Sequence, residues 1–324
     1  MTNAMRLHQF GGPENLVYES VAIGEPGPGE VRLHHEAIGV NMIDSYFRTG
    51  LYPIELPSML GCEAAGVVTA LGSDVTGFDV GDRVSYASPP PLGAYAEDRL
   101  IDARWLCRLP NSVSTEVAAA VTLKGLTSWF LLHRSYSVQP GDWILIFAAA
   151  GGVGQLACQW ASALGANVIG VVGTESKKEL ALAGGCRDVL LMSEDLPTRV
   201  RQIAGGGVAA VYDSIGKDTF IASLDCLKPH GVMVTFGNAS GPVEPFAPLE
   251  LARRGSLYVT RPTLFDFTAD RETLDVAAST LFEMVGSGRI SVEIGQRYAL
   301  ADAATSHRDL AARKTTGSSI LLPG

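Results

Sequence analysis

Two stretches of this chain hold residue types that do chemistry. The first, Gly61-Cys62-Glu63-Ala64-Ala65-Gly66, sets a thiol beside a carboxylate in front of small residues. Such a pair is half of a metal site, a reactive thiol, or a packed turn without chemistry. A catalytic zinc needs three protein ligands and prefers thiolate and imidazole, and a reactive thiol needs a cationic neighbour to favour the thiolate. The residues flanking Cys62 carry no positive charge, and a free cysteine is among the most buried of residue types. Cys62 is therefore expected as a small buried side chain in a turn. His34, His35, His133, His230 and His307 lack metal spacing and are read as surface or structural residues.

The second stretch, Ala148-Ala149-Ala150-Gly151-Gly152-Val153-Gly154, follows the apolar run Trp143-Ile144-Leu145-Ile146-Phe147 and opens a helix expected from Gly152 to about Leu164. That is the context a dinucleotide fingerprint requires. Ala149 stands at the place of the first glycine of G-x-G-x-x-G, with Gly151 and Gly154 at the other two. The middle glycine lets backbone approach a pyrophosphate, and the helix N-terminus offers unpaired N–H groups and a partial positive charge. A glycine turn also serves packing alone; the strand-helix alternation on both sides favours the dinucleotide. The next strand ends Val171-Val172-Gly173-Thr174, without the carboxylate that would hold the ribose hydroxyls of NAD. Ser176, Lys177 and Lys178 follow, which favours the extra phosphate of NADPH over NADH. The plainer alternative is a solvated helix start, with Glu175 beside it.

These residues need elements to position them, and the chain changes texture along its length. Up to about residue 120, short β-branched runs alternate with turn signals such as Pro26-Gly27-Pro28-Gly29 and Gly81-Asp82, which predicts an antiparallel, barrel-like domain. From about residue 140 the rhythm becomes strand and helix in turn. Strands are expected at 143–147, 168–172, 189–191, 209–212 and 232–236, with a helix over Lys177 to Ala183. That alternation predicts a parallel sheet with helices on both faces, an α/β protein. A chain of 324 residues is long enough for two such domains. Its net charge of -9 argues against nucleic acid or anionic lipid as a partner. Met1 to Arg6 lacks the apolar core of a signal peptide, and no apolar run reaches membrane-spanning length. The five cysteines are widely spread and odd in number, which argues against a disulfide framework. A soluble, cytoplasmic protein is expected.

Residues 37–53, with Asn41-x-x-Asp44-x-Tyr46-x-x-x-Gly50-x-Tyr52-Pro53, resemble the medium-chain dehydrogenase/reductase superfamily, as do Gly61-Cys62-Glu63 and Gly81-Asp82-Arg83-Val84. In the zinc-dependent alcohol dehydrogenases of that superfamily, a cysteine stands where Asn41 is, and Gly-His-Glu where Gly61-Cys62-Glu63 is. The cysteine-rich lobe that holds structural zinc there is absent from this chain. Leu123-Lys124-Gly125-Leu126-Thr127, Ala148 to Gly154, Tyr212-Asp213-Ser214-Ile215-Gly216, Phe236-Gly237-Asn238 and Gly255 to Pro262 narrow the likeness to the NADPH:quinone oxidoreductases, the zinc-free, ζ-crystallin-like branch. It runs over nearly the whole chain.

The resemblance implies a Rossmann-type parallel-sheet domain over 123–265 for NADPH, and a GroES-like, mainly antiparallel β-barrel catalytic domain over 1–122 and 266–324, with a cleft between. Gly151, Gly152 and Val153 would meet the pyrophosphate. Gly173 and Lys177 would lie near the adenosine phosphate, with Arg313 reaching over. Phe236, Gly237 and Asn238 would border the nicotinamide side, Ser214 would be a further cofactor contact, and Asn41 and Thr127 would close the pocket. Where the family often has a tyrosine at the adenosine phosphate, this chain has Met192, which implies weaker NADPH affinity or selectivity.

The reaction implied is quinone reduction without metal, through positioning of the ring. Asn41, Tyr46, Tyr52 and Arg261 are the candidates to orient its carbonyl oxygens, with packing at a domain edge as the alternative role of the tyrosines. Asp44, three residues after Asn41, is one potential partner for Lys124. Two other functions compete: an NADPH-dependent alkenal or enone reductase of the same branch, and a non-catalytic NADPH-binding protein. The resemblance also implies a homodimer through Leu257-Tyr258-Val259.

Overall fold

The computed structural model describes residues 1–324 and divides into two compact units, Met1–Leu126 with Thr268–Gly324, and Thr127–Phe267. The first unit is mostly antiparallel sheet. It holds β1 (Thr2–Leu7), β2 (Leu16–Val21), β3 (Glu30–Val40), the short helix α1 (Met42–Thr49), β4 (Ser58–Met59), β5 (Glu63–Leu71), β6 (Arg83–Ala87), β7 (Asp98–Asp102), β8 (Leu106–Arg108) and the start of α2 (Thr115–Phe130). Strands β2-β1-β4 make one sheet. In the long β3, Val31, Leu33 and His35 are buried while His34 and Glu36 are exposed, the period of two of a strand with one packed face. Met5 and Leu7 from β1 share a core with Leu33 and Ile38 of β3, Val68 of β5, Tyr86 of β6 and Leu106 of β8. The antiparallel expectation for this region holds.

The second unit alternates as its sequence rhythm predicts. It runs through β9 (Trp143–Phe147), α3 (Gly152–Ala163), β10 (Asn167–Val172), α4 (Lys178–Ala183), β11 (Asp188–Leu191), α5 (Leu196–Ala204), β12 (Val208–Asp213), α6 (Phe220–Asp225), β13 (Leu227–Thr235), α7 (Leu249–Arg253), β14 (Tyr258–Thr260) and α8 (Leu264–Phe267). The six strands form one sheet in the order β11-β10-β9-β12-β13-β14, with every pairing parallel. Residues 144–147 of β9 are all buried, because helices cover both faces of its sheet. From β9 the chain winds outward through β10 and β11, then returns to lay β12 on the other side of β9. That reversal is the topological switch point, where the carboxyl ends of β9 and β12 leave a crevice for a ligand. The predicted helix over Lys177–Ala183 begins one residue late: Glu175–Lys177 form a 3₁₀ turn, and α4 starts at Lys178.

The chain then completes the first unit with α9 (Arg271–Gly286), β15 (Ile294–Ala299), α10 (Ala303–Ala311) and β16 (Ser318–Leu322). Its larger sheet runs β15-β16-β3-β5-β6-β8, with β7 also paired to β3, and only β15 and β16 are parallel. No helix is long and apolar enough to cross a membrane.

Candidate active site

In the first unit the site residues gather at the start of α1. Asn41 sits at the N-cap in extended backbone (φ -133°), and it is 5% exposed. Its backbone N–H donates to Asp44 Oδ2 at 2.9 Å, which covers one of the donors a helix start leaves open. Its side-chain Nδ2 donates to Glu63 Oε2 at 2.8 Å. Glu63, at the first position of β5, is fully buried; its Oε1 accepts from the Leu123 N–H at 2.6 Å and its Oε2 lies 3.3 Å from Lys124 Nζ. Lys124 is thus the ionic partner of Glu63, and Asp44 turns instead toward Asn41 and Tyr95. The choice follows from placement, since Glu63 is the carboxyl group that β5 carries in beneath α2.

Asp44 ends a buried chain of polar groups. The Tyr95 hydroxyl donates to Asp44 Oδ2 at 3.1 Å and lies 3.0 Å from His307 Nε2, while Arg48 Nε donates to His307 Nδ1 at 3.2 Å. With Arg48 donating to Nδ1, the neutral His307 tautomer carries its proton on Nε2 and donates to the Tyr95 hydroxyl, which in turn donates to Asp44 Oδ2. Burial pushes the Asp44 carboxyl up to about 7, against the lowering effect of the Asn41 N–H and the Tyr95 hydroxyl. Burial, with help from the Arg48 charge, pushes His307 down to about 3. Burial likewise holds His35 down to about 4; its Nδ1 lies 2.7 Å from the Ala96 carbonyl oxygen. His35 and His307 are both buried and hydrogen-bonded within the first unit.

Cys62 is fully buried just before β5, and burial first, then the neighbouring Asp44, pushes its thiol well above the ordinary range. It is the small buried side chain expected. No group of three or more His, Cys, Asp or Glu side chains is placed to hold a metal ion. Tyr46 and Tyr52 are brought together: their rings meet edge to face at 5.3 Å, and Phe47 backs Tyr52 at 5.7 Å. Arg313 follows α10 in left-handed backbone (φ 57°).

In the second unit nearly all the expected residues fall at the carboxyl ends of the parallel strands. Gly151, Gly152 and Val153 follow β9; Gly173 follows β10; Ser214 follows β12; Phe236, Gly237 and Asn238 follow β13; Arg261 follows β14. Thr127 lies buried on α2. In the turn after β9, Gly151 N–H donates to the Ala148 carbonyl at 2.8 Å, and the left-handed residue is Ala148 (φ 52°), one place before the position matched to the first glycine. A Cβ at Gly154 would collide with that same Ala148 oxygen, so only glycine lets α3 start so close to the strand. Gly151 is the N-cap of the twelve-residue α3, and no side chain caps it, which leaves its first N–H groups directed at whatever occupies the crevice.

At the tip of β10, a Cβ on Gly173 would meet no atom of the chain within 4 Å, so the surface there is open. Thr174 Oγ1 and Ser176 Oγ lie 3.0 Å apart. Glu175 pairs with Lys178 at 3.1 Å, so the acid beside Lys177 is engaged with the other lysine. The Met192 N–H donates to the Val172 carbonyl at 2.9 Å, which places Met192 beside the same tip. An uncapped helix start at the switch point, an open glycine and a strand tip without an acid fit a dinucleotide that carries an extra phosphate.

Family models match both regions: one described as an alcohol dehydrogenase GroES-like domain over residues 27–111, and one described as a zinc-binding dehydrogenase over residues 152–279. Fold and matches together define a medium-chain dehydrogenase/reductase. A quinone oxidoreductase from Pseudomonas aeruginosa is 50% identical over the full length of both chains, and a 2-haloacrylate reductase from Burkholderia is 45% identical over 100% of this chain and 99% of its own. The crystal structure of Escherichia coli quinone oxidoreductase complexed with NADPH superposes with a TM-score of 0.97 at 46% identity, covering 99% of this chain and 100% of the other. The chain belongs to the quinone oxidoreductase family.

Sequence reasoning missed the partner roles of Glu63 and Lys124. Both residues stand in the motifs that carry the family likeness, but a carboxyl group and an amine 61 residues apart leave no local trace of their pairing.

Proposed function

We propose that this protein is an oxidoreductase that uses NADPH to reduce quinones. The observation that carries the reading is the uncapped glycine turn at the switch point, flanked by a β10 tip that offers Gly173, Thr174 and Ser176 in place of an acid. The likeness to a quinone oxidoreductase solved with NADPH supports it along the whole chain.

NADPH, when bound, supplies the two electrons the reduction needs. Gly151, Gly152 and Val153 hold the pyrophosphate through backbone N–H groups. Gly173 admits the adenosine ribose, and Lys177 and Arg313 supply positive charge to its phosphate. Ser214, Phe236, Gly237 and Asn238 shape the nicotinamide side, with Asn41 and Thr127 as further contacts. Met192 offers no hydrogen bond to the adenosine phosphate and narrows the preference for NADPH over NADH.

Asn41, Tyr46, Tyr52 and Arg261 orient the carbonyl oxygens of the quinone, and a tyrosine hydroxyl donates a hydrogen bond to the oxygen that gains negative charge. A ring that becomes aromatic on reduction needs less polarisation than an alcohol or aldehyde does, so positioning supplies much of the rate. The reaction is read as metal-free on the chemistry of the residues: Asn41 is an amide engaged by Glu63, and Cys62 is a buried thiol held in its protonated form. A second reading, reduction of a conjugated carbon-carbon double bond, draws support from the 45% identity to the 2-haloacrylate reductase.

The exposed edge strand β14 suits a homodimer formed by pairing two such edges, with Tyr258 61% exposed on it. Five free cysteines suit the reducing cytoplasm.

The test is NADPH oxidation by purified protein with a chelator present and NADH in parallel, using benzoquinone, naphthoquinone, a conjugated alkenal and 2-chloroacrylate as acceptors. Chelator-resistant turnover with quinone, faster with NADPH, is expected. Faster turnover with an activated alkene would move the substrate class to the second reading, and tight NADPH binding without turnover would leave a binding protein.

A further inference from the structure

We propose that Asp213 is a positioning residue for the nicotinamide half of the dinucleotide site; the proposal rests on the cofactor reading above. Asp213 ends β12 and is fully buried. Its Oδ1 accepts from the backbone N–H groups of Ile215 at 2.7 Å and Gly216 at 3.1 Å. Its Oδ2 accepts from the hydroxyls of Thr219 at 2.7 Å and Ser223 at 2.9 Å. One carboxyl group therefore folds the turn after β12 back on itself and ties it to the start of α6.

That turn is in turn bonded to the one after β13. Phe236 N–H donates to the Asp213 carbonyl at 2.8 Å, Ser240 N–H to the Ile215 carbonyl at 2.8 Å, and Lys217 N–H to the Gly241 carbonyl at 3.1 Å. A Cβ at Gly237 would run into the Ser214 backbone, so the two turns touch main chain to main chain. Ser214, Phe236, Gly237 and Asn238 belong to this double turn. In a doubly wound sheet the adenosine half of a dinucleotide lies over the strand that follows the glycine turn, here β10, and the other half crosses the switch point toward β12 and β13. Asp213 thus fixes the face the nicotinamide meets without touching the adenosine side. A face already ordered spares the ligand the entropy of ordering it.

The experiment measures equilibrium binding of NADPH and of 2′,5′-ADP, which keeps the adenosine phosphates and lacks nicotinamide, to wild type, Asp213→Ala and Asp213→Asn. Asp213→Ala is expected to weaken NADPH by about tenfold or more, as loss of several bonds to one acceptor implies, with 2′,5′-ADP unchanged within about twofold. Asp213→Asn should fall between, because its oxygen still accepts from Ile215 and Gly216 while its amide faces the two hydroxyls as a donor. Equal losses for the two ligands, or unchanged NADPH affinity in Asp213→Ala, would overturn the proposal. If Asp213→Ala does not fold, Thr219→Val with Ser223→Ala removes the donors to Oδ2, and the same ratio of affinities decides the matter. Wild-type protein that binds neither ligand would remove the cofactor reading itself, and this proposal with it.

Discussion

At the scale of single residues, the buried polar chain around α1 makes stability depend on pH in two opposed ways. Asp44, with a folded pKa of about 7, keeps its proton where the unfolded chain has lost it. Its contribution is full below about pH 4 and is lost as the pH rises through about 7. His307 at about 3 and His35 at about 4 stay neutral where the unfolded chain is protonated. Their contribution is full above about pH 6.5 and is lost as the pH falls through those folded values. Asp44→Asn removes only the first effect. The stability of wild type minus that of the variant, from urea unfolding, should fall by up to about 1.4 kcal/mol per unit as the pH rises from about 5 to 7. A difference that stays flat would mean that Asp44 is ionised in the fold. Glu63 and Lys124 are a second residue-scale test. Lys124→Met strands a buried carboxyl group and should cost about 3–5 kcal/mol, much of it recovered when Glu63→Gln is added. Additive losses in the double variant would show that the two side chains do not act as a pair.

At the scale of elements, two glycines, one in the first turn of α3 and one at the tip of β10, separate folding from binding. Gly154→Ala forces a Cβ against the Ala148 carbonyl, so α3 must shift from β9. We expect a loss of about 1–3 kcal/mol in stability together with weaker NADPH binding. Gly173→Ala meets nothing of the chain, so its unfolding free energy should match wild type within about 0.5 kcal/mol while NADPH affinity falls. A Gly173→Ala protein that binds NADPH as well as wild type would take β10 out of the site. The strands themselves were legible in the sequence: Trp143–Phe147 is the predicted span to the residue, and α3 ends at Ala163 against a predicted Leu164. What the glycine pattern did not tell was which residue bears the strained backbone. It is Ala148, because the turn must send its own carbonyl toward Gly151 and Gly154.

At the scale of the molecule, β14 is the edge of the six-stranded sheet, and Tyr258 stands exposed on it. An unpaired edge with an exposed aromatic invites a second copy rather than solvent. Light scattering should give about twice the chain mass of 34.2 kDa for wild type. Tyr258→Lys should shift the protein toward the single chain without lowering the melting point of the sheet core. A monomeric wild type would rule the dimer out, and a Tyr258→Lys protein that stays dimeric would move the contact away from β14.

The sequence by itself determined the class of protein and the layout of its cofactor half. Alternating strands and helices, a glycine turn after an apolar strand and a β10 tip without an acid are local signals, each carried within some ten residues. Tertiary structure decided the partnerships. The sequence offered Asp44 as a partner for Lys124, and the fold gave it Glu63 instead, because β5 buries that side chain while α1 turns Asp44 toward Tyr95. Asp213 read as one letter of a family motif, and only the fold gathered Ile215, Gly216, Thr219 and Ser223 around its carboxyl group. Hydrogen-bond partners depend on where buried groups meet, and a buried donor takes whichever acceptor packing brings within about 3 Å.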